Sequence, residues 1–388
     1  MWQVAQTGHT TPILHPSKQL IGSGVNKTLA YMISDDFAFK AKKPGIVRKI
    51  DTKNKLALLD YDDNTKDAID LSDKLAKNSN MGFYIHQVFK MAYSEGERFK
   101  AGDVIAYNPS YFTGKGKNID YMPGTLAKVA IAPGDFSFED ATAISESLSE
   151  KCAIKVNMQK AISLGKYAEI HSIVEIGDTV ETGDPLIEFT PSYNDQDTAE
   201  FLAKLSANMD DDMMNEITRD KVEAKYSGLI TNVEIYYNCP IEELSPSLQK
   251  LIKTYQKRVS ERQNALEGVE TNSVKIPPIE QVQSNRDGKE EFVEGGGVLI
   301  FIWIEYHSKM GNGDKLTYST ALKGIISKTF KDSEAPISEN RPEEHIEAIL
   351  TPTGVISRMT LDVYMMLFGN KVLVELGKQI REIWNDKK

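Results

Sequence analysis

Gly313-Asp314-Lys315-Leu316-Thr317-Tyr318-Ser319-Thr320-Ala321-Leu322-Lys323-Gly324-Ile325-Ile326-Ser327-Lys328 is the stretch on which the reading of this chain turns. An apolar run at 298–304, Val-Leu-Ile-Phe-Ile-Trp-Ile, precedes it and reads as a buried strand. The chain then turns at Met310-Gly311-Asn312-Gly313 and presents Lys315, and Lys323 follows after seven intervening residues. Apolar strand character resumes at Gly324-Ile325-Ile326. Two lysines at the rims of neighbouring strands, with the hydroxyls of Thr317, Ser319 and Thr320 between them, make a cradle suited to phosphate. An ammonium is a compact point charge that follows a moving phosphate without demanding one planar geometry. On residue type alone, a solvated hairpin with ordinary surface lysines is the commoner reading.

The wording of the stretch tips that balance. It resembles the Gly-Asp-Lys-Met-Ala-Gly-Arg-His-Gly-Asn-Lys-Gly-Val motif of the β subunit of multisubunit RNA polymerases. Gly313, Asp314, Lys315, Lys323 and Gly324 fall in register with it, whereas Ser319, Thr320 and Leu322 replace the Arg, His and Asn of its middle.

Two further stretches resemble the same family. Phe136-Ser137-Phe138-Glu139-Asp140-Ala141-Thr142-Ala143-Ile144-Ser145-Glu146 is close to Tyr-Asn-Phe-Glu-Asp-Ala-Ile-Leu-Ile-Ser-Glu. Adjacent carboxylates between aromatic anchors can place a hard divalent cation directly or through its waters. Taken bare, Glu-Asp reads more often as an acidic pair at a helix start. Leu350-Thr351-Pro352-Thr353-Gly354-Val355-Ile356-Ser357-Arg358-Met359-Thr360 is similar to Leu-Asn-Pro-Leu-Gly-Val-Pro-Ser-Arg-Met-Asn. There the planar fork of Arg358 can reach a triphosphate, or else pair with Glu343 or Glu344. Gln19-Leu20-Ile21-Gly22-Ser23-Gly24 also parallels the family, as Pro-Leu-Val-Gly-Thr-Gly. The stretches occur in family order and the likeness runs over nearly the whole chain.

Composition sets the outer bounds. A 388-residue chain can bury more than one core. Its net charge of −10 argues against a free-standing nucleic-acid binder, though not against a subunit with a small basic patch. Cys152 and Cys239 offer neither metal-ligand spacing nor a disulfide framework, so a reducing cytoplasm is expected. No apolar run approaches membrane-spanning length and no signal-peptide pattern opens the sequence.

Along the chain, 43–50 and 56–61 read as two short strands around a turn. The segments 94–105 and 175–186 repeat one pattern, in which a Gly followed by an acid tightens a turn between short strands. That is the pattern of small sandwich modules such as biotinyl and lipoyl carriers, but neither repeat carries a lysine at a hairpin tip. Leu244, Leu248, Leu251, Ile252, Tyr255 and Val259 recur at helical spacing. A second helix is expected over 199–212, a polar tip over 266–296, and a C-terminal helix over 360–384 broken near Gly369-Asn370.

The resemblance implies an α+β, β-rich fold with a double-psi β-barrel core. Residues 1–161 supply the first part of the barrel, 162–296 a flap-like insertion with sandwich-type modules and a helix, and 297–388 the rest of the barrel. It implies half of a split β subunit, of the kind that giant bacteriophages encode, in a DNA-directed RNA polymerase. Lys315, Lys323, Arg358, Glu139 and Asp140 would serve a shared active centre, with Glu139 and Asp140 beside the second Mg2+ and the tightly held Mg2+ belonging to a β′-type subunit. The β′ motif Asn-Ala-Asp-Phe-Asp-Gly-Asp does not occur here, so the single chain is expected to be inactive. Implied partners are the N-terminal half of β, β′-type subunits, a promoter-specificity subunit, template DNA, nascent RNA and nucleoside triphosphates. The implied location is the cytoplasm of an infected bacterium or the virion. Two other readings compete: a silent assembly scaffold that kept the fold and lost the site, and a biotinyl- or lipoyl-like sandwich adaptor.

Overall fold

The computed structural model describes residues 11–22, 24–72, 74–77, 84–191, 218–269, 274, 276–277, 279–282, 292–293, 295–318, 322–339, 341–357, 359 and 361–386. The helix expected over 199–212 and much of the 266–296 tip lie outside these residues. The described chain is rich in β-strand with few helices, and it forms two compact units. Residues 1–45, 89–155 and 307–388 make the first, and 46–88 with 156–306 make the second.

In the second unit, Gly228–Tyr237 pairs antiparallel with Gly297–Ser308, from Leu229 opposite Glu305 to Tyr237 opposite Val298. Every residue from Gly297 to Glu305 is buried. A strand covered on both faces needs apolar side chains at successive positions, which is why this run does not alternate. Val298, Ile300 and Ile302 join the main core, while Leu299 and Phe301 face Tyr236 on the other side.

The helix anticipated around 244–259 is Pro246–Ala265. Ser245 caps it by accepting the Leu248 amide, and Pro sits in the first turn, where a missing N–H costs nothing. Leu248, Ile252, Tyr255 and Val259 fall on one face and enter the core of the same unit. The apolar stripe is therefore buried locally. Near the end of this helix, Arg262 Nη2 meets Asp70 Oδ1 at 2.6 Å in a largely buried ion pair.

The two repeats build the same object, one in each unit. Within them the Glu97, Asp103, Asp178 and Asp184 carboxylates accept the backbone N–H three residues earlier, at 3.1, 2.9, 2.7 and 2.7 Å. Each acid closes its own turn. The strand after the second turn then becomes the centre of a three-stranded antiparallel sheet. Val104–Tyr107 lies between Ala38–Lys40 and Lys90–Met91, and Pro185–Thr190 lies between Glu169–Ile173 and Asp220–Glu223.

The first unit also holds a five-stranded mixed sheet, ordered Val129–Ile131, Ala348–Leu350, Ala141–Ser145, Leu322–Phe330, Lys315–Tyr318. Ala141–Ser145 runs parallel to Leu322–Phe330, and Lys315–Tyr318 runs antiparallel to it. Ile144, Leu148, Tyr318, Leu322, Ile326, Leu350, Val355 and Val363 form the core beneath.

The C-terminal helix is one unbroken element, Leu361–Asp386, and it continues through Gly369. The expected break does not occur. A helical glycine costs about 1 kcal/mol against alanine. Here its bare Cα admits Ile21, whose Cδ1 lies 2.5 Å from where a Cβ would stand, so the glycine serves packing rather than termination. Ion pairs tether one side of the helix: Glu375 meets Arg341 at 3.0 Å, and Lys378 meets Glu344. A stripe beside them leaves Met365, Phe368, Val372, Leu376, Ile380, Ile383 and Trp384 exposed. No helix among the described residues is long and apolar enough to cross a membrane.

Candidate functional site

The hairpin carrying the lysines is in register from Lys315 opposite Ile325 to Tyr318 opposite Leu322. Side chains alternate across a strand, so Lys315, Thr317, Lys323 and Ile325 share one face. Lys315, Lys323 and Ile325 on that face are exposed, whereas Tyr318, Leu322 and Ile326 of the other face are buried. The two lysines are diagonal neighbours, a relation that puts them about 7–8 Å apart. The sequence expectation of two cations on adjoining strands is realised, with Thr317 opposite Lys323. Ser319 and Thr320, also expected in the cradle, lie outside the described residues.

Asp314 does not join that face. Its carboxylate accepts the Gly311 amide at 2.8 Å, the same closure seen in the four repeat turns. The aspartate of the Gly-Asp-Lys sequence is thus a turn-former that fixes where Lys315 enters its strand. The Gly313 amide donates to the Ile326 carbonyl at 2.8 Å, and the Ile326 amide to Asp314 at 2.9 Å.

Glu139 and Asp140 sit in the turn that leads into Ala141–Ser145, not at a helix start. Parallel pairing sets Ala141 beside Ile325, and the Ile325 amide donates to the Asp140 carbonyl at 2.8 Å. The acidic pair therefore stands next to the Lys323 strand. Gly324 permits the approach, since a Cβ there would stand 2.7 Å from Thr142 Oγ1 and 3.4 Å from the Asp140 carbonyl. Glu139 itself adopts φ 52°, a left-handed conformation that a glutamate rarely takes.

The third stretch arrives from below. Leu350 is paired with Thr142, and the short helix Pro352–Ser357 follows directly. A Cβ on Gly354 would lie 3.0 Å from the Glu139 carbonyl oxygen. Gly354 thus supports the strained turn by having no side chain. Gly354→Ala is expected to destabilise the assembled fold by about 1–3 kcal/mol through overpacking. A thermal melt of the variant measures it, and an unchanged midpoint would show that the turn yields freely. Arg358 lies outside the described residues.

Neighbouring cations are already engaged. Lys309 Nζ meets Glu150 at 2.5 Å, and Lys328 lies 4.2 Å over the Phe136 ring. Neither Lys315 nor Lys323 has an ion-pair partner among the described residues, which leaves both available to an anion. No group of three or more His, Cys, Asp or Glu that could hold a metal occurs among the described residues. Two carboxylates suit a hydrated Mg2+ that takes its remaining oxygens from waters and substrate phosphates, and do not suit a resident metal centre. Burial and then Glu347 push the Cys152 thiol up to about 11, which disfavours the thiolate form.

Comparison with known proteins gives a consistent result. Residues 136–386 match the family described as RNA polymerase Rpb2, domain 6. Over 397 residues the chain is 25% identical to the DNA-directed RNA polymerase subunit beta of Clostridium tetani, covering 93% of this chain and 27% of that protein. The corresponding protein of Acetivibrio thermocellus is 28% identical over 382 residues, covering 90% and 25%. That of Alkaliphilus oremlandii is 25% identical over 409 residues, covering 96% and 27%. The chain spans about a quarter of the length of these curated relatives.

Proposed function

Since the chain belongs to the RNA polymerase Rpb2 domain 6 family, we propose that it is a β-type subunit of a DNA-directed RNA polymerase whose cations serve a shared active centre. The observation that carries this reading is the convergence of three stretches far apart in sequence. Asp140 is bonded to the Lys323 strand, and Gly354 lies under Glu139.

The chemistry is attack of an RNA 3′ hydroxyl on the α-phosphate of a nucleoside triphosphate, with pyrophosphate leaving. Lys315 and Lys323 hold phosphates of RNA and nucleotide, contributing position and charge neutralisation rather than proton transfer. Mg2+, when bound, would supply charge neutralisation at the phosphoryl oxygens. Glu139 and Asp140 orient the water shell of the ion that enters with the nucleotide, and Arg358 contacts the incoming triphosphate. The mixed pairing of the five-stranded sheet supports a double-psi barrel formed with the first part of the chain, and 162–296 is its flap-like insertion.

The finer reading is a split β subunit of giant-phage type, acting in the infected bacterial cytoplasm or carried in the virion. Its partners are an N-terminal β half, β′-type subunits and a promoter-specificity subunit, together with template DNA and nascent RNA. Exposure of the apolar side of Leu361–Asp386 supports obligate partners. Two measurements test the reading. The purified single chain is expected to show no Mg2+-dependent extension of an RNA primer, and capture from its native source is expected to bring β′-type chains with it. Extension by the pure chain would overturn the shared-site reading, and capture without polymerase partners would overturn the subunit reading.

A further inference from the structure

The parallel pairing of Ala141–Ser145 with Leu322–Phe330 contains one irregularity. Thr142 is opposite Ile326 and Ala143 is opposite Lys328, so Ser327 is an extra residue. Bulges are uncommon in parallel pairs, and they re-aim a side chain that regular pleating would point elsewhere. The Ser327 hydroxyl reaches the Phe136 carbonyl and lies 3.1 Å from the Thr142 carbonyl. These two acceptors bracket the turn that holds Glu139 and Asp140. A hydroxyl has one proton to donate, and both neighbours can only accept, so the proton is shared between them or held by the nearer Phe136 oxygen. Ser327 also lies four residues along the same strand from Lys323. Ser327 thereby adds a side-chain clasp between the acidic turn and the strand that carries the lysine.

We propose that Ser327 is a positioning residue, which sets the place of Glu139 and Asp140 relative to Lys323. This rests on the polymerase reading given above for the acidic pair. Without the clasp, the Ile325 amide still ties the Asp140 carbonyl to the strand at 2.8 Å, and the Ala141 amide still closes the turn on Phe138 at 2.9 Å. The fold survives, and the carboxylates lose one restraint. Their effect on a hydrated cation then weakens while the lysines still bind phosphate.

The test uses Ser327→Ala and Ser327→Thr in the assembled polymerase, beside Asp140→Asn. Ser327→Ala is expected to raise the Mg2+ concentration for half-maximal primer extension by about two- to tenfold, the worth of one hydrogen bond. At saturating Mg2+ the rate is expected to recover. Backbone hydrogen exchange at Ser137 and Ala141 is expected to quicken, and Ser327→Thr is expected to restore both readouts. If Ser327→Ala does not assemble, Ser327→Cys keeps the size, weakens the donor and gives the same readouts. Unchanged Mg2+ dependence and exchange in Ser327→Ala, with a clear shift in Asp140→Asn, overturns the positioning role alone. A rate loss at every Mg2+ concentration, with half-saturation unmoved, also overturns it, since a merely structural residue behaves so. No shift in Asp140→Asn overturns the use of the acidic pair, and the positioning role with it.

Discussion

Lys315→Ala and Lys323→Ala, each built into otherwise intact polymerase, are expected to assemble normally and to extend RNA roughly thirty- to a thousand-fold more slowly. The figure corresponds to about 2–4 kcal/mol of transition-state stabilisation per lysine, the scale of removing one aligned charge from a partly desolvated site. In the free chain both side chains are exposed and either charge would count for little. The effect arises only when the assembled groove excludes water and RNA phosphates stand against the hairpin face. Single-turnover extension from a preformed primer measures it. Lys309→Ala is the matched control, because its charge is already turned to Glu150. Lys328→Ala also removes a charge, but its contact with Phe136 borders the acidic turn. Arg358→Ala is expected to raise the nucleotide concentration for half-maximal rate. Full-speed extension by both lysine variants would leave the silent-scaffold reading standing in place of the shared-site one.

Arg262→Ala is expected to destabilise the second unit by about 3 kcal/mol, near the low end of what breaking a buried ion pair costs. The Asp70 side chain is 5% exposed, so removing the guanidinium leaves a charge with little water to take its place. The loss is moderated by Ser72, whose amide and hydroxyl donate to Asp70 Oδ1 at 2.9 and 2.5 Å. Thermal melting is expected to fall by about 6–12 °C for a unit of this size. Replacing both partners, Asp70→Leu with Arg262→Leu, is expected to recover only part of the loss, since the desolvated charge disappears while the Ser72 amide and hydroxyl lose their acceptor. A shift under about 1 °C in Arg262→Ala would show that water reaches Asp70 in the native state.

Local features of this fold were legible in the sequence because local rules produce them. The spacing of Leu248, Ile252, Tyr255 and Val259 reports a helix face directly, and the apolar run before Lys315 reports a strand buried on both sides. The Gly-acid turns were legible too, since the acid and the amide it accepts are three residues apart. Gly369 misled the reading: breaker chemistry suggested a break where the side chain of Ile21 needed room. The site was legible in wording and not in geometry. Nothing near Glu139 announces that its neighbour bonds Ile325, or that Gly354 will lie beneath it, because parallel pairing joins segments with no local signature. Ser327 was hidden for the same reason, as a bulge exists only relative to its partner strand.

The ionic tether of the C-terminal helix has a consequence for the speed of association. Arg341 and Glu344 hold Glu375 and Lys378, so the apolar side of Leu361–Asp386 is shaped before anything covers it. A surface formed in advance docks at the usual 10⁵–10⁷ M⁻¹s⁻¹, without the slowing that folding upon encounter imposes. The same readiness makes every collision between two free copies a candidate for sticking. On the proposed subunit reading, newly made chain would run a race between a partner and itself, and the outcome would depend on the ratio in which the chains are synthesised.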